Sequence, residues 1–135
     1  LKMPLSRLEI NGYEALRSEL ELREVAGAGD RLLLLFLADH VDGKSWCPDC
    51  VTAEPVIERA LAADEIVDSP QLICFISCFV GPKEAWREKQ NGFRTSADLN
   101  VNCIPTLLEY GKEENRLGDK ECAEVEVVKK FILGN

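Results

Sequence analysis

The run Leu32–Leu37 consists of six consecutive apolar residues and constrains the fold more than any other stretch of the chain. Its length fits a strand, because helices usually exceed about ten residues. A strand without polar residues on either face has to be covered on both faces, as in a sheet between layers of helices. The stretch Gln71–Val80, rich in Ile, Phe and Cys, predicts a second buried strand. These two segments favour an α/β fold.

The other periodic segments alternate strands with helices. Further strands are predicted at Leu5–Ile10, Thr106–Tyr110 and Glu113–Leu117. Helices are predicted at Tyr13–Val25, Cys47–Ala63, Lys83–Gln90 and Cys122–Leu133, with a further helical stretch at Phe93–Leu99 and a polar loop at Asp39–Ser45. The order β-α-β-α-β-α-β-β-α is typical of an α/β sandwich. With 135 residues, the chain fits one domain spanning 1–135.

The charge of the chain restricts its partners. A formal net charge of −8 disfavours a phosphate backbone or an anionic lipid surface, so we expect neither nucleic acid nor membrane as a partner. No apolar run approaches the roughly 18 residues of a spanning helix. The N-terminal sequence LKMPLSRLEI lacks the apolar core of a secretion signal. We therefore expect a cytoplasmic protein, and a monomer.

Six cysteines are many for a chain without a secretion signal, and in a reducing compartment most of them should be thiols. Only Cys47 and Cys50 form a tight Cys-x-x-Cys pair, at the predicted start of a helix. Unpaired N–H groups there carry partial positive charge, which stabilises a thiolate at Cys47. Cys50 follows one turn later, within disulfide reach. The pattern indicates that Cys47 attacks a disulfide and Cys50 resolves the mixed disulfide.

Two structural roles for the pair are alternatives. Zinc would need a second pair of ligands, for which the candidates are His40, Cys74, Cys78 and Cys103. Cys74 and Cys78 are about 13 Å apart along a strand, too far for one metal ion, and free cysteines in an apolar strand are typical core residues. A structural disulfide disagrees with a reducing compartment. We favour a redox dithiol and expect no metal.

Several motifs resemble a known family. WCPDC at 46–50, after a buried strand and at a helix start, resembles the thioredoxin active site. Pro55 matches the proline that kinks the second helix of thioredoxin, and IPT at 104–106 resembles its cis-proline loop. Together with AEPV, FRT and PTLLEYG, the sequence GKSWCPDC is similar to the small thioredoxin-related proteins of the thioredoxin domain-containing protein 17 family. The resemblance covers nearly the whole chain.

The resemblance implies a thioredoxin fold, with a central mixed β-sheet flanked by helices on both faces. It also implies a disulfide reductase in which Cys47 is the nucleophile and Cys50 the resolving thiol. Pro105 would be cis, and the backbone of Ile104 would pair with a substrate peptide. Electrons would come from NADPH through thioredoxin reductase, with no cofactor bound to this chain.

The resemblance leaves the substrate open. Proteins with disulfides are one class, and family members are also linked to peroxide removal, to reduction of small disulfides such as cystine, and to inflammatory signalling. A different class of function is a redox-sensitive adaptor, whose binding to a partner depends on the oxidation state of Cys47 and Cys50 without turnover.

The chain departs from ordinary thioredoxins beneath the resolving cysteine. Thioredoxins carry an acidic residue there, on the central strand, which relays the proton of that cysteine, and Leu35 occupies this place here. Water, Asp49 or Glu54 must serve instead, and Glu54 lies one turn after Cys50. The segment Asp39–Ser45 is also longer than in thioredoxin and should narrow the choice of substrate.

Other residues near the pair carry further expectations. Trp46 abuts Cys47, so we expect its indole on the substrate-facing surface. Pro48 limits the backbone freedom of the Cys-x-x-Cys ring, and Asp49 places a negative charge between the sulfurs. Cys103 lies on the predicted cis-proline loop, where a third thiol could exchange with Cys47, take an oxidative modification, or simply pack as a small side chain.

Overall fold

A computed structural model describes residues 4–27 and 29–134, so that residues 1–3, 28 and 135 of the predicted domain lie outside the described part. The strands are β1 Leu5–Asn11, β2 Arg31–Leu37, β3 His40–Val41, β4 Lys44–Ser45, β5 Ile73–Phe79, β6 Thr106–Glu109 and β7 Lys112–Leu117. The α-helices are α1 Tyr13–Ala26, α2 Pro48–Leu61, α3 Asp64–Val67, α4 Lys83–Arg87, α5 Gly92–Thr95 and α6 Val125–Leu133. Over the described ranges, no helix is long and apolar enough to cross a membrane.

The central sheet has five strands in the order β1-β5-β2-β6-β7. β5 is parallel to both β1 and β2, whereas β6 runs antiparallel to β2 and to β7. In β2, Leu35 lies opposite Ser77 of β5 and Leu107 of β6. Every residue of Leu32–Leu37 is buried. The predicted buried strand is therefore confirmed, and the predicted mixed sheet is present.

Neighbouring residues of β2 point to opposite faces of the sheet and meet different helices. Phe36 packs edge to face on Phe93, and Phe93 packs in the same way on Tyr13 of α1. Leu35 points the other way, into a groove that it lines together with Pro55 of α2. The sheet thus carries α1 on one face and α2 on the other, which confirms the thioredoxin fold.

The long helix predicted at Cys47–Ala63 is interrupted at its end. α2 ends at Leu61, and Ala63 has an extended backbone before α3 begins. The break returns the chain to the core, where Ile66 of α3 is 1% exposed. Burial of this side chain overrides the helix propensity of the alanines, a tertiary effect that local pattern does not report.

The predicted helical stretch Phe93–Leu99 is also shorter than expected. α5 ends at Thr95, and Ser96 has an extended backbone. The hydroxyl of Ser96 lies 2.5 Å from the hydroxyl of Tyr13 and accepts a hydrogen bond from Arg17 of α1 at 3.2 Å. These bonds to another element replace the next helical turn.

The predicted loop Asp39–Ser45 contains a small antiparallel hairpin of β3 and β4. Asp42 and Gly43 form its turn with φ angles of 53° and 79°. A two-residue hairpin turn with both φ angles positive favours Asp-Gly, because glycine has no Cβ to clash. At the other end of the chain, the helix predicted at Cys122–Leu133 is a 3₁₀ turn, Glu121–Ala123, followed by α6.

Candidate active site

Cys47 lies at the N-terminal end of α2 and is partly exposed. Its backbone is extended, and Pro48 begins the helix, where a residue without an N–H is well tolerated. The carbonyl oxygen of Cys47 accepts hydrogen bonds from the N–H groups of Cys50 and Val51, each at 3.0 Å. The N–H of Cys47 donates to the hydroxyl of Ser45 at 3.2 Å. A thiolate on this residue would face the positive end of the helix.

Cys50 lies one turn further along α2 and is 0% exposed. The N–H of Ala38, just after β2, donates a hydrogen bond to its sulfur at 3.5 Å. Burial is the main cause that raises the pKa of this thiol, the Ala38 N–H lowers it, and the neighbouring Cys47 and the charge of Glu54 raise it further. The two cysteines therefore differ: Cys47 is open to solvent, and Cys50 is a buried thiol that keeps its proton.

The loop before β6 borders the partly exposed thiol. The sulfur of Cys47 lies 3.9 Å from the carbonyl oxygen of Ile104. The peptide bond between Ile104 and Pro105 is cis, and both residues are buried. The backbone of this loop thus borders the Cys47 sulfur, where a substrate disulfide could approach.

Trp46 forms part of a shallow groove beside the pair. Its indole N–H donates to the carbonyl oxygen of Gly81 at 3.0 Å, and its ring is partly buried against the core. Trp46 lines a groove of about 380 Å³ together with Lys44, Ser45, Pro48 and Val51. The Gly81 turn is held from a second side, because its N–H donates to the carboxylate of Asp39 at 2.8 Å. The indole therefore has a fixed position next to Cys47.

Glu54 is paired with His40, which the sequence suggests only as a candidate zinc ligand. Its Oε1 lies 2.7 Å from Nε2 of His40 in β3, and its side chain is 25% exposed. The ring of His40 also packs edge to face against Phe79 of β5. Leu35, at the place of the thioredoxin acid, is 2% exposed. His40 and Glu54 are separated by 14 residues in the chain, and only folding of the β3–β4 hairpin onto α2 brings them together.

The remaining residues that the sequence predicts near the pair are exposed and differ in their contacts. Pro48 and Asp49 are exposed in the first turn of α2. Cys103 is exposed, and its sulfur lies 3.5 Å from the hydroxyl of Thr106. A Cβ atom at Gly118 would come within 3.9 Å of that sulfur, so the Cys103 thiol faces the end of β7. These contacts lie within its own loop and at the end of β7, and exchange of Cys103 with Cys47 stays a prediction.

Three other thiols belong to the core. Cys74, Cys78 and Cys122 are at most 1% exposed, as the sequence predicts for the first two. Burial raises the pKa of Cys78 and of Cys122 to about 12. Within residues 4–27 and 29–134, no three or more His, Cys, Asp and Glu side chains gather as metal ligands would.

Comparison with known proteins assigns the chain to a family. A family model described as "Thioredoxin domain-containing protein 17-like, thioredoxin domain" matches residues 9–133. The chain belongs to this family. The match includes every residue of the dithiol, the hairpin and the cis-proline loop, and it confirms the resemblance found in the sequence.

Individual relatives of the family come from animals and plants. Thioredoxin domain-containing protein 17 of Homo sapiens is 41% identical over 122 residues, which cover 90% of this chain and 89% of the relative. The protein of the same name from Danio rerio is 34% identical over 121 residues, with 89% of each chain covered. The thioredoxin-like protein Clot of Arabidopsis thaliana is 30% identical over 124 residues, covering 88% and 89%. Membership of this family supports a thioredoxin-type redox role.

Proposed function

We propose that the protein is a cytoplasmic thiol–disulfide oxidoreductase that reduces disulfides with Cys47 and Cys50. The observation that carries the proposal is the difference in solvent exposure between the two thiols, which are one helical turn apart. Cys47 is partly exposed at the N-terminal end of α2, and Cys50 is 0% exposed beside it. An accessible nucleophile and a shielded resolving thiol are what thiol–disulfide exchange through a mixed disulfide requires.

The reaction has two exchange steps. The thiolate of Cys47 attacks one sulfur of the substrate disulfide, and the other substrate sulfur leaves as a thiolate. Cys50 then loses its proton and attacks the sulfur of Cys47, which releases the second substrate thiolate and leaves a Cys47–Cys50 disulfide. Two electrons pass from the dithiol to the substrate. The Ile104 backbone and the Trp46 indole, which border Cys47, would position the substrate, with Pro105 completing the loop.

Recycling needs an external source of two electrons. The protein would obtain them from NADPH through thioredoxin reductase, whose own dithiol attacks the Cys47–Cys50 disulfide. No cofactor bound to this chain takes part in the cycle, and one protomer contains both thiols. We therefore propose that the protein works as a monomer with the reductase as its partner.

Small disulfides are a second candidate class of substrate. The groove beside Trp46 has a volume of about 380 Å³, which lies in the range that accommodates small ligands. Lys44 at its edge offers a positive charge to a carboxylate such as those of cystine. Hydrogen peroxide is small enough to require only an exposed Cys47 sulfur and no binding groove. Its reduction by the same dithiol would release water.

A coupled assay tests the proposed activity. It contains NADPH, thioredoxin reductase, the protein, and insulin, cystine or hydrogen peroxide in separate reactions, and NADPH oxidation is followed at each substrate concentration. We expect turnover with insulin or cystine, and its loss in Cys47→Ser. Cys78→Ala, which changes a core thiol far from the exchange steps, is the matched control. No NADPH oxidation with any of the three substrates would refute an enzymatic role and favour the adaptor.

A further inference from the structure

The resolving step requires that Cys50 lose a proton inside a buried environment. Its pKa is raised, mainly by burial, so that at neutral pH the thiol form dominates and a base has to accept its proton. Leu35, which occupies the place of the acid in ordinary thioredoxins, has no atom that could accept it. The acceptor must therefore be water or a side chain outside β2, and α2 itself offers Asp49 and Glu54.

Glu54 is placed for this step by the geometry of α2. Residues four apart on a helix lie on the same face, with about 5–6 Å between their Cβ atoms, and Glu54 follows Cys50 by four residues. The negative charge of Glu54 contributes to the raised pKa of the Cys50 thiol. It also lines a groove of about 170 Å³, together with Leu35, Pro55 and Phe79, that gives the carboxylate access to solvent.

His40 fixes the position of this carboxylate. Its Nε2 lies 2.7 Å from Oε1 of Glu54, and packing of its ring on Phe79 restrains the imidazole. The imidazole is 44% exposed, so it can exchange protons with solvent on its outer side. Because an imidazole can both accept and donate a proton, the contact between Glu54 and the exposed ring of His40 forms a proton path from the helix face to bulk water.

We propose that Glu54, positioned by His40, accepts the proton of Cys50 in the resolving step. The Cys50 S–H bond breaks and its proton moves to the carboxylate of Glu54. The Cys50 thiolate then forms a bond to the sulfur of Cys47, and the bond between Cys47 and the substrate sulfur breaks. The departing thiolate takes up a proton from solvent, and His40 returns the proton of Glu54 to solvent. The inference rests on the proposed dithiol function and adds the residues that handle its proton.

The other charged groups near Glu54 and His40 are bound to other residues or lie on another element. Arg7 and Glu9 of β1 and Glu58 of α2 line the same groove, and Arg7 and Glu58 form an ion pair with each other. Glu9 lies on the edge strand of the sheet and not on the helix that carries Cys50. Asp39, which precedes His40 in the chain, has its carboxylate bound to the N–H of Gly81.

Stopped-flow reaction with 5,5′-dithiobis(2-nitrobenzoate) separates the two exchange steps. Attack by Cys47 releases one equivalent of the yellow thiolate, and attack by Cys50 on the mixed disulfide releases a second. All proteins carry Cys103→Ser, so that this exposed thiol adds no signal. We expect Glu54→Gln to slow the second release about a hundredfold near pH 7 without slowing the first. The difference should shrink as the pH rises, because hydroxide then removes the proton. His40→Gln should shift the pH profile of the second release.

Glu58→Gln is the matched control, because it neutralises a carboxylate of the same helix and the same groove. It should leave both releases unchanged. A second release that keeps the parent's rate and pH profile in Glu54→Gln, or that slows equally in Glu58→Gln, would overturn the role of Glu54. A parent protein that gives no second release would instead overturn the dithiol function itself, and the two failures are thereby distinguished.

Discussion

The backbone N–H of Ala38 donates a hydrogen bond to the sulfur of Cys50, with 3.5 Å between the two atoms. The bond ties the resolving thiol of α2 to the end of the central strand, away from solvent. Since burial also raises its pKa, iodoacetamide near pH 7 should modify Cys47 and leave Cys50 unmodified. Peptide mass spectrometry of the reduced native protein measures both sites. Equal labelling of the two cysteines would contradict the roles assigned to them.

Buried thiols should make the fold sensitive to alkaline pH. Burial raises the pKa of Cys50, and it raises the pKa of Cys78 and of Cys122 from 9.0 to about 12. Above pH 9 the unfolded chain loses these protons while the folded chain keeps them, so the free energy of unfolding falls as the pH rises. Urea unfolding between about pH 7 and 11 measures the loss. In Cys78→Ala the free energy of unfolding should be lower but should fall less between about pH 7 and 11. An equal fall in the parent protein and the variant would show that the buried thiols are not its cause.

The ion pair of Arg17 and Asp98 should contribute to stability at neutral pH and not in acid. Arg17 donates to both oxygens of Asp98 at 2.8 and 3.0 Å, and Tyr110 donates at 2.7 Å. The bonds from Arg17, above all, lower the pKa of Asp98 from 3.8. Their stabilisation is therefore present above about pH 4 and is lost as the pH falls through the lower native pKa.

Asp98→Ala should lower the free energy of unfolding by about 1–2 kcal/mol at neutral pH, because it removes hydrogen bonds to a charged group. The difference from the parent should narrow toward about pH 3, and urea unfolding at both pH values measures it. Glu58→Ala, which breaks a more exposed pair with Arg7, should cost only about 0–1 kcal/mol. Equal losses in the two variants would show that the Asp98 bonds add nothing beyond a surface ion pair.

Arg31 connects the start of β2 to the end of α6. It donates to both carboxylate oxygens of Glu109 at 3.0 and 3.3 Å and to the carbonyl oxygen of Ile132 at 2.6 Å. The side chain of Glu109 is 7% exposed, so Arg31→Met should leave a buried charge and cost about 2–3 kcal/mol. The double variant Arg31→Met with Glu109→Gln should recover part of that loss in urea unfolding. A double variant less stable than Arg31→Met would show that the buried charge is not the cause.

The sequence predicts well what local pattern determines. Leu32–Leu37 is buried on both faces, and this was visible because a central strand has no polar side. The position of Cys47 at a helix start was visible from Pro48 and the apolar spacing that follows. The β3–β4 hairpin was predicted as a loop, although Asp42-Gly43 is itself a signal for a two-residue hairpin turn.

Local sequence patterns do not predict contacts between segments that are distant in the chain. The sequence offers His40 only as a candidate zinc ligand, and its bond to Glu54 depends on how the hairpin packs on α2. The end of α2 at Leu61 depends on burial of Ile66 in the core. The helix propensity of the alanines between them does not determine it. The sequence therefore predicts the fold and the start of α2 near Cys47, whereas the contact between His40 and Glu54 is seen only in the structure.

Trapping on Cys50→Ser tests the central claim most directly. Without the Cys50 thiol, a mixed disulfide at Cys47 has no resolving partner and should accumulate. We expect mass spectrometry of the protein incubated with disulfide-bonded insulin or cystine to show a stoichiometric adduct on Cys47 in Cys50→Ser. The adduct should be absent in Cys47→Ser and transient in the parent. An adduct on another cysteine, or none on Cys47, would contradict the assignment of Cys47 as nucleophile and Cys50 as resolving thiol.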